Sequence, residues 1–584
     1  MIKQLRFCCM GVGVLLASHV WAGSCQVARY GTLPVEVIGE RATTMVKING
    51  QDTRFVIDTG AFFNTMSKAN ASALGLKLQS LPFNFRISGI GGSAGAQFTT
   101  VKEFGVLDTT LKRIDFIVGG TDMGYGLLGA NLLDMADLEL DLAHGKLALF
   151  QVEHCDKTSL AYWSKDGNYF VADLEPPDSQ VDRSTHINVM IGDKRVRAML
   201  DSGAPVTLLT RRAAERAGID LNAPGVKTGH RTFGIGSGMV KTWIVPIDSF
   251  SIGTETIHHS QMMVIDGDMG DRYTDMLLGL DYILAHHMFI ANSERKAFFT
   301  YNGGRVFALA DASDAAAAST TANTTSETAS DYALRGDADL NRGEPKAAVA
   351  DLDEAIRMAP NQAAYYLARA RAHLANKQPD DAFADLDKSL SLDPKNADAL
   401  LLRAEGRLRH KDRDGAAADV KAASALAPAG SAQSRLIASL YIQLDQPDAA
   451  LPLLDDWIHL HPSDALLGAV LNERCWARGL SNQMLDDALK DCHKAIRRDG
   501  ENAAYLDSLG LVELRLGHYP ESIKAYEQAV AQNPRSAWSR YGLGLAKIHS
   551  GQVDAGKADL VAARALNADI EARVTRYGLN TAGQ

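Results

Sequence analysis

The sequence predicts a multidomain chain: an all-β unit built twice, then an all-α solenoid of helix pairs. Three observations carry this. Asp-Thr-Gly at residues 58–60 returns as Asp-Ser-Gly at residues 201–203, with matching flanks. Prolines fall at 360, 394, 428 and 462, each 34 residues after the last. Between these regimes, residues 308–330 are mostly Ala, Ser and Thr with few large apolar groups. The 584 residues are too many for one core, since domains run to roughly 100–200 residues. With 46% apolar and 22% charged residues the composition is globular. The net charge of −10 and the lack of a basic stripe exclude a general nucleic-acid binder.

The N-terminus, MIKQLRFCCMGVGVLLASHVWAG, reads as a secretion signal over residues 1–22. Lys3 and Arg6 form a charged start, an apolar run follows from Phe7 to Val20, and Val20-Trp21-Ala22 suits cleavage after Ala22. This implies export, with a periplasmic destination. A membrane anchor and lipid attachment at Cys25 are the alternative readings. After cleavage no other segment is long and apolar enough to span a bilayer. Four cysteines then remain, and an even number in an exported chain permits disulfides. The expected pairs are Cys25 with Cys155 and Cys475 with Cys492; four buried thiols are the alternative.

The duplication extends well beyond the triplets. Ile48 precedes Asp58 by ten residues, and Ile191 precedes Asp201 by ten. Each approach, MVKINGQDTRFVID and NVMIGDKRVRAMLD, reads as strand, polar turn, strand. After each acid a helix-like stretch ends at a glycine, Gly75 or Gly218. Two glycine-rich hairpin tips follow, ISGIGGSAG (87–95) and TFGIGSGMV (232–240). Then come YGLLGANLLDM and DMLLGLDYILA, with Gly129 and Gly279 equivalent, and closing strands that begin at Lys146 and Lys296. The pattern gives a first lobe over residues 23–160 and a second over 161–307.

Asp-Thr/Ser-Gly-Ala, a Gly-Ile-Gly tip and Leu-Leu-Gly, each present twice and in the same order, resemble the aspartic proteases of the retropepsin type. The resemblance covers about 275 residues. It implies an all-β aspartic-protease fold of two lobes in one chain, hydrolysing peptide bonds with Asp58 and Asp201. Two neighbouring carboxyls cannot both ionise readily, so such a pair shares one proton. Active-site loops of Thr59, Gly60, Ala61, Ser202, Gly203 and Ala204 would shape the dyad, the hydroxyls cross-linking the loops beneath it. Gly89, Ile90, Gly91 and Gly92, with Gly234, Ile235 and Gly236, would form flaps over an extended substrate. No tyrosine lies between Leu78 and Phe98, so the flap is of the retroviral kind. Ala61 and Ala204 offer no hydroxyl to the acids, which implies a working range nearer neutrality than a gastric enzyme's. The mechanism needs no cofactor. His258-His259 and His286-His287 lack metal-ligand spacing and are read as ordinary histidines, so no metal is expected.

Residues 308–330 cannot bury enough surface to order themselves and read as a flexible linker. Beyond it, Ala348, Ala382, Ala416 and Ala450 form one small-residue column at the 34-residue period, and Gly336, Ala370, Ala404, Ala438 and Gly510 another. These columns and the closing prolines resemble tetratricopeptide repeats over residues 331–575, about seven units. The resemblance implies a protein partner or substrate docked on the concave face. A four-residue insertion falls in the unit that carries Cys475 and Cys492. The alternative to an endopeptidase is a non-catalytic scaffold that binds peptides through the protease fold and a partner through the repeats.

Overall fold

The computed structural model describes residues 25–82, 85–155, 157–176, 184–271, 273–304, 306–307 and 328–579. The expected signal (1–22) and most of the expected linker (308–330) lie outside the described residues.

Each lobe contains a hairpin that ends at an acid. Ala42–Ile48 pairs with Gln51–Ile57 in lobe 1, and His186–Ile191 with Lys194–Leu200 in lobe 2. The second strand of each hairpin is buried in its last three residues, Phe55-Val56-Ile57 and Ala198-Met199-Leu200. A short strand lies parallel beside it, Gly126–Leu128 or Met276–Leu278, with Leu128 opposite Ile57 and Leu278 opposite Leu200. Helices Lys68–Ala73 and Arg211–Arg216 follow the acids, capped by the hydroxyls of Ser67 and Thr210. A long hairpin closes each sheet, Gly92–Val106 with Thr109–Gly119 and Thr242–Ile252 with Glu255–Ile265.

The lobes meet in a third sheet of six strands, three from each. Asp137–Asp141 of lobe 1 lies antiparallel to His286–Ala291 of lobe 2, with Leu138 opposite Ile290. One hydrophobic core runs through both lobes, from Leu33 to Phe307. Cys25 and Cys155 are bonded, closing a span of 130 residues at the edge of this shared sheet.

Among the described residues the solenoid has seven helix pairs, from Ala329–Asn341 with Pro345–Met358 to Ala537–His549 with Val553–Leu566, and a short helix, Ile570–Thr575. Its first helix opens inside the stretch read as linker. The reason is a capping box in which Thr328 and Asp331 satisfy each other's backbone N–H groups. The small-residue columns sit where helices of a pair touch: Ala348, Ala382, Ala416 and Ala450 are fully buried. At Gly336 a Cβ would stand 2.8 Å from Leu352, so only glycine permits that approach. An arginine ladder ties the pairs together. Arg369 binds Asp385 in its own repeat and Asp353 in the one before, and Arg403 does the same with Asp419 and Asp387. Cys475 on Leu467–Ser481 is bonded to Cys492 on Leu485–Asp499.

The solenoid packs against the lobes. Asn341 donates to the Val37 carbonyl at 3.0 Å and accepts from the Glu40 N–H at 2.9 Å. Further along, His461 meets Asp122 at 2.9 Å, with both side chains buried.

Candidate active site

The two acids are delivered by the same local design. As each buried strand ends, the acid's own N–H continues the parallel ladder: Asp58 donates to Leu128 O and Asp201 to Leu278 O, both at 3.0 Å. The chain then turns tightly beneath the side chain. Asp58 Oδ1 accepts from the N–H of Gly60 at 3.1 Å and of Ala61 at 2.8 Å. Asp201 Oδ1 accepts from Gly203 at 2.9 Å and Ala204 at 3.1 Å. The two carboxyls face one another across the lobe boundary, each close enough to act on the other's protonation.

The loops are locked by a reciprocal grip. The Thr59 hydroxyl donates to Leu200 O at 2.8 Å and accepts from the Ser202 N–H at 3.0 Å. The Ser202 hydroxyl donates to Ile57 O at 2.7 Å and accepts from the Thr59 N–H at 3.2 Å. Thr59 and Ser202 are buried, so every polar atom of the grip finds a partner inside the protein. The glycines are required by space. A Cβ on Gly60 would stand 2.5 Å from the Asp201 carboxyl, and one on Gly203 would stand 2.3 Å from that of Asp58.

The electrostatics are less symmetric than the geometry. Burial is the largest influence on Asp58 and raises its pKa, against the Ala61 N–H, the bond from Asp201 and the Arg41 guanidinium, which lower it. Asp201 is pushed well above the ordinary carboxyl range, first by burial and then by the charge of Asp58. Two such carboxyls do not both ionise readily, so the pair suits a single shared proton and titrates as a unit.

Arg41 is a site residue that the sequence reading missed. Its Nη1 donates to the Gly203 carbonyl at 2.8 Å, reaching from lobe 1 into the acid loop of lobe 2. Its own pKa is lowered by burial and supported by Asp58 and Asp201. A signal existed: Arg41 lies 17 residues before Asp58. The duplication hid it, because Ser184 occupies the matching place before Asp201.

The acids form the floor of a cleft of about 600 Å³, walled by Phe62, Phe63, Phe85, Phe233, Met263 and Met269 among others. Both glycine-rich segments close over it, but by different means. In lobe 1, Arg86–Gly89 pairs with the strand that starts at Gly92, so Ile90 and Gly91 form a true hairpin tip. In lobe 2, a single bridge between Thr232 and Val240 is the ladder contact of the segment. The tips interlock: Gly234 and Gly236 N–H both donate to Ile90 O at 3.2 Å, and Gly238 N–H to Gly91 O at 2.9 Å.

The bonded cysteines lie away from the acids, at the sheet edge and in the solenoid. His286 is buried against Tyr282 O and Glu255, and His287 bonds Glu139 at 2.8 Å. Among the described residues no three His, Cys, Asp or Glu side chains gather in a metal-binding group.

This fold and these paired acids define a two-lobed aspartyl-protease-type unit. The aspartyl protease family model matches residues 44–132 and 187–282. Models of tetratricopeptide repeats match residues 334–397 and 510–549. The chain thus carries a duplicated aspartyl protease domain followed by tetratricopeptide repeats. Among solved structures it is similar to a tetratricopeptide repeat protein from Parabacteroides merdae, at 15% identity over 43% of this chain and 99% of that one, TM-score 0.33. It is similar to the tetratricopeptide protein YrrB, described with an unusual peptide-binding site, at 19% identity over 32% and 95% of the two chains, TM-score 0.28. A thermophilic repeat protein of Thermus thermophilus matches at 18% identity over 32% and 98%, TM-score 0.24. No curated protein matches the chain significantly.

Proposed function

We propose that this chain is an exported aspartic endopeptidase that hydrolyses peptide bonds with Asp58 and Asp201. The observation that carries the reading is the facing pair of carboxyls, Asp201 buried and Asp58 half-buried, each held in a backbone cradle and joined by the Thr59–Ser202 grip. Such a pair suits general acid–base hydrolysis. The ionised carboxyl takes a proton from water, whose oxygen attacks the scissile carbonyl carbon. The protonated carboxyl gives its proton to the carbonyl oxygen. The resulting tetrahedral species breaks its C–N bond as the departing nitrogen takes the proton that the first carboxyl gained from water, while one hydroxyl of the tetrahedral carbon gives its proton to the second carboxylate and becomes the product's carbonyl, so the pair is left with one proton again. The aromatic and methionine walls of the cleft favour large apolar side chains beside the cut bond.

Two features support the rest of the reading. The two bonded cysteine pairs suit an oxidising compartment such as the periplasm. The repeats suit a protein partner or a protein substrate. The solenoid's hydrogen bonds to the lobes run from Asn341 in its first pair to Arg498 and Asp499 in its fifth, so partner docking falls to the turns beyond Asp499.

The test is cleavage of a denatured protein mixture by the purified chain between about pH 3 and 8, beside Asp58→Asn and Asp201→Asn. Products from the parent alone are the expected result. A folded parent that cuts nothing at any pH would point instead to a peptide-binding scaffold.

A further inference from the structure

The lobe-2 flap is the least self-supporting part of the cleft, yet it is heavily bonded from outside. Its carbonyls at 235–237 are taken by two other parts of the chain. Thr121 of lobe 1 donates its N–H to Ile235 O at 3.2 Å and its hydroxyl to Gly236 O at 2.6 Å. Arg498, in the last turn of solenoid helix Leu485–Asp499, donates to Ser237 O.

These contacts belong to one network anchored in the solenoid turn at residues 461–465. The same Arg498 donates to Asp464 O. The Thr121 hydroxyl, already on the flap, accepts from the Ala465 N–H at 3.0 Å. Its neighbour Asp122 accepts from His461 at 2.9 Å and gives its own N–H to Asp464 Oδ2 at 2.7 Å. His461 also contacts the Trp457 carbonyl at 2.8 Å, so both ring nitrogens are committed. At the rim, Arg231 spans from Met239 O at 3.1 Å to Asp499 O at 3.4 Å. Space is tight as well, since a Cβ on Gly120 would stand 2.8 Å from Ile235.

We propose that the solenoid is the latch of the lobe-2 flap: Arg498 directly, and residues 461–465 through Thr121 and Asp122, hold residues 235–237 closed over the acids. Arg498 and Thr121 are positioning residues in this account, not catalytic ones. The inference rests on the endopeptidase reading for its consequence, while its structural content stands apart. Lobe 1 needs no such help, because its flap is braced internally by Arg86 on Ser93 O and by the Ser88–Ser93 hydroxyl pair.

The test uses the full chain with Arg498→Ala, Thr121→Val and, as a control in the same solenoid helix, Lys490→Ala. Amide hydrogen exchange is followed at residues 233–238 and at 87–95, together with steady-state cleavage of a short peptide taken from the parent's own cut sites. Both latch variants should speed exchange at 233–238 about tenfold, as loss of one hydrogen bond, charge-assisted for Arg498 and neutral for Thr121, allows. They should raise KM more than they lower kcat, and the control should leave both readings unchanged. Unchanged exchange at 233–238 in both variants would overturn the latch. The exchange reading does not depend on turnover. A chain that cuts nothing but loosens at the flap sinks the endopeptidase and keeps the latch, and the reverse pattern does the opposite.

Discussion

The two lobes agree around the paired acids and differ at the rim of the cleft. Around the acids they are near-copies: the same ladder bond into each Asp, the same two N–H donors, and a grip in which each hydroxyl serves the other lobe. At the rim the copies part. Lobe 1 folds its flap as a hairpin, while lobe 2 leaves its flap to be held by Thr121 and the solenoid. Among the described residues, the arginines that line the cleft, Arg41 and Arg86, come from lobe 1. A shared proton constrains both acid loops equally, because each must fit the other. Nothing requires the two covers to be alike, so duplication left them free to acquire different supports.

This comparison can be broken at its most symmetric point. Gly60→Ala and Gly203→Ala should each abolish turnover, since either new methyl group would press on the opposite carboxyl. Overpacking of this kind costs about 1–3 kcal/mol of stability. Equal losses in the two variants, read by peptide turnover and thermal melting, are expected. A tolerated substitution on one side would show that the cradle is not symmetric.

The next effect is smaller and separates the acids. Both are raised above the ordinary carboxyl value when folded, Asp201 the more strongly. The folded state then binds more protons than the unfolded one, so this contribution is complete below the unfolded value and is lost as pH rises above it. Asp201→Asn should therefore melt above the parent at pH 7–8 by roughly a few degrees, with the gap closing near about pH 4. Asp58→Asn should show the same trend, since its carboxyl is also raised. Melting curves at three pH values check this, and a parent that gains stability as pH rises through that window would contradict it.

Arg41 gives the smallest effect. Its charge lowers Asp58, so Arg41→Met should move the acid limb of the kcat/KM profile to higher pH by about one unit. The parent's own acid limb should already lie above the ordinary carboxyl range, as the absence of hydroxyls at Ala61 and Ala204 suggested.

What could be read from the sequence was local or periodic. The acid triplets, their hairpins and the small-residue columns are short patterns that repeat, and each has a direct physical role at its own position. The arginine ladder was equally legible, because Arg335, Arg369 and Arg403 stand 34 residues apart and each meets an Asp 16 residues on. The rest depends on long-range docking. The two glycine-rich segments look alike in sequence, yet one pairs with a neighbouring strand and the other does not. Asp122 and His461 are 339 residues apart, and neither carries a motif. Arg41 escaped because comparing repeats rewards agreement, and its position is one where they disagree.

The central claim is that Asp58 and Asp201 act as one unit with one proton. The direct test is kcat/KM for Asp58→Asn, Asp201→Asn and the double variant on a single peptide, at the parent's optimal pH. Each single substitution should remove about a thousandfold or more of the activity, and the double variant should be no worse than either single one. A single variant that keeps substantial turnover, or losses that multiply in the double variant, would mean that the two carboxyls work independently.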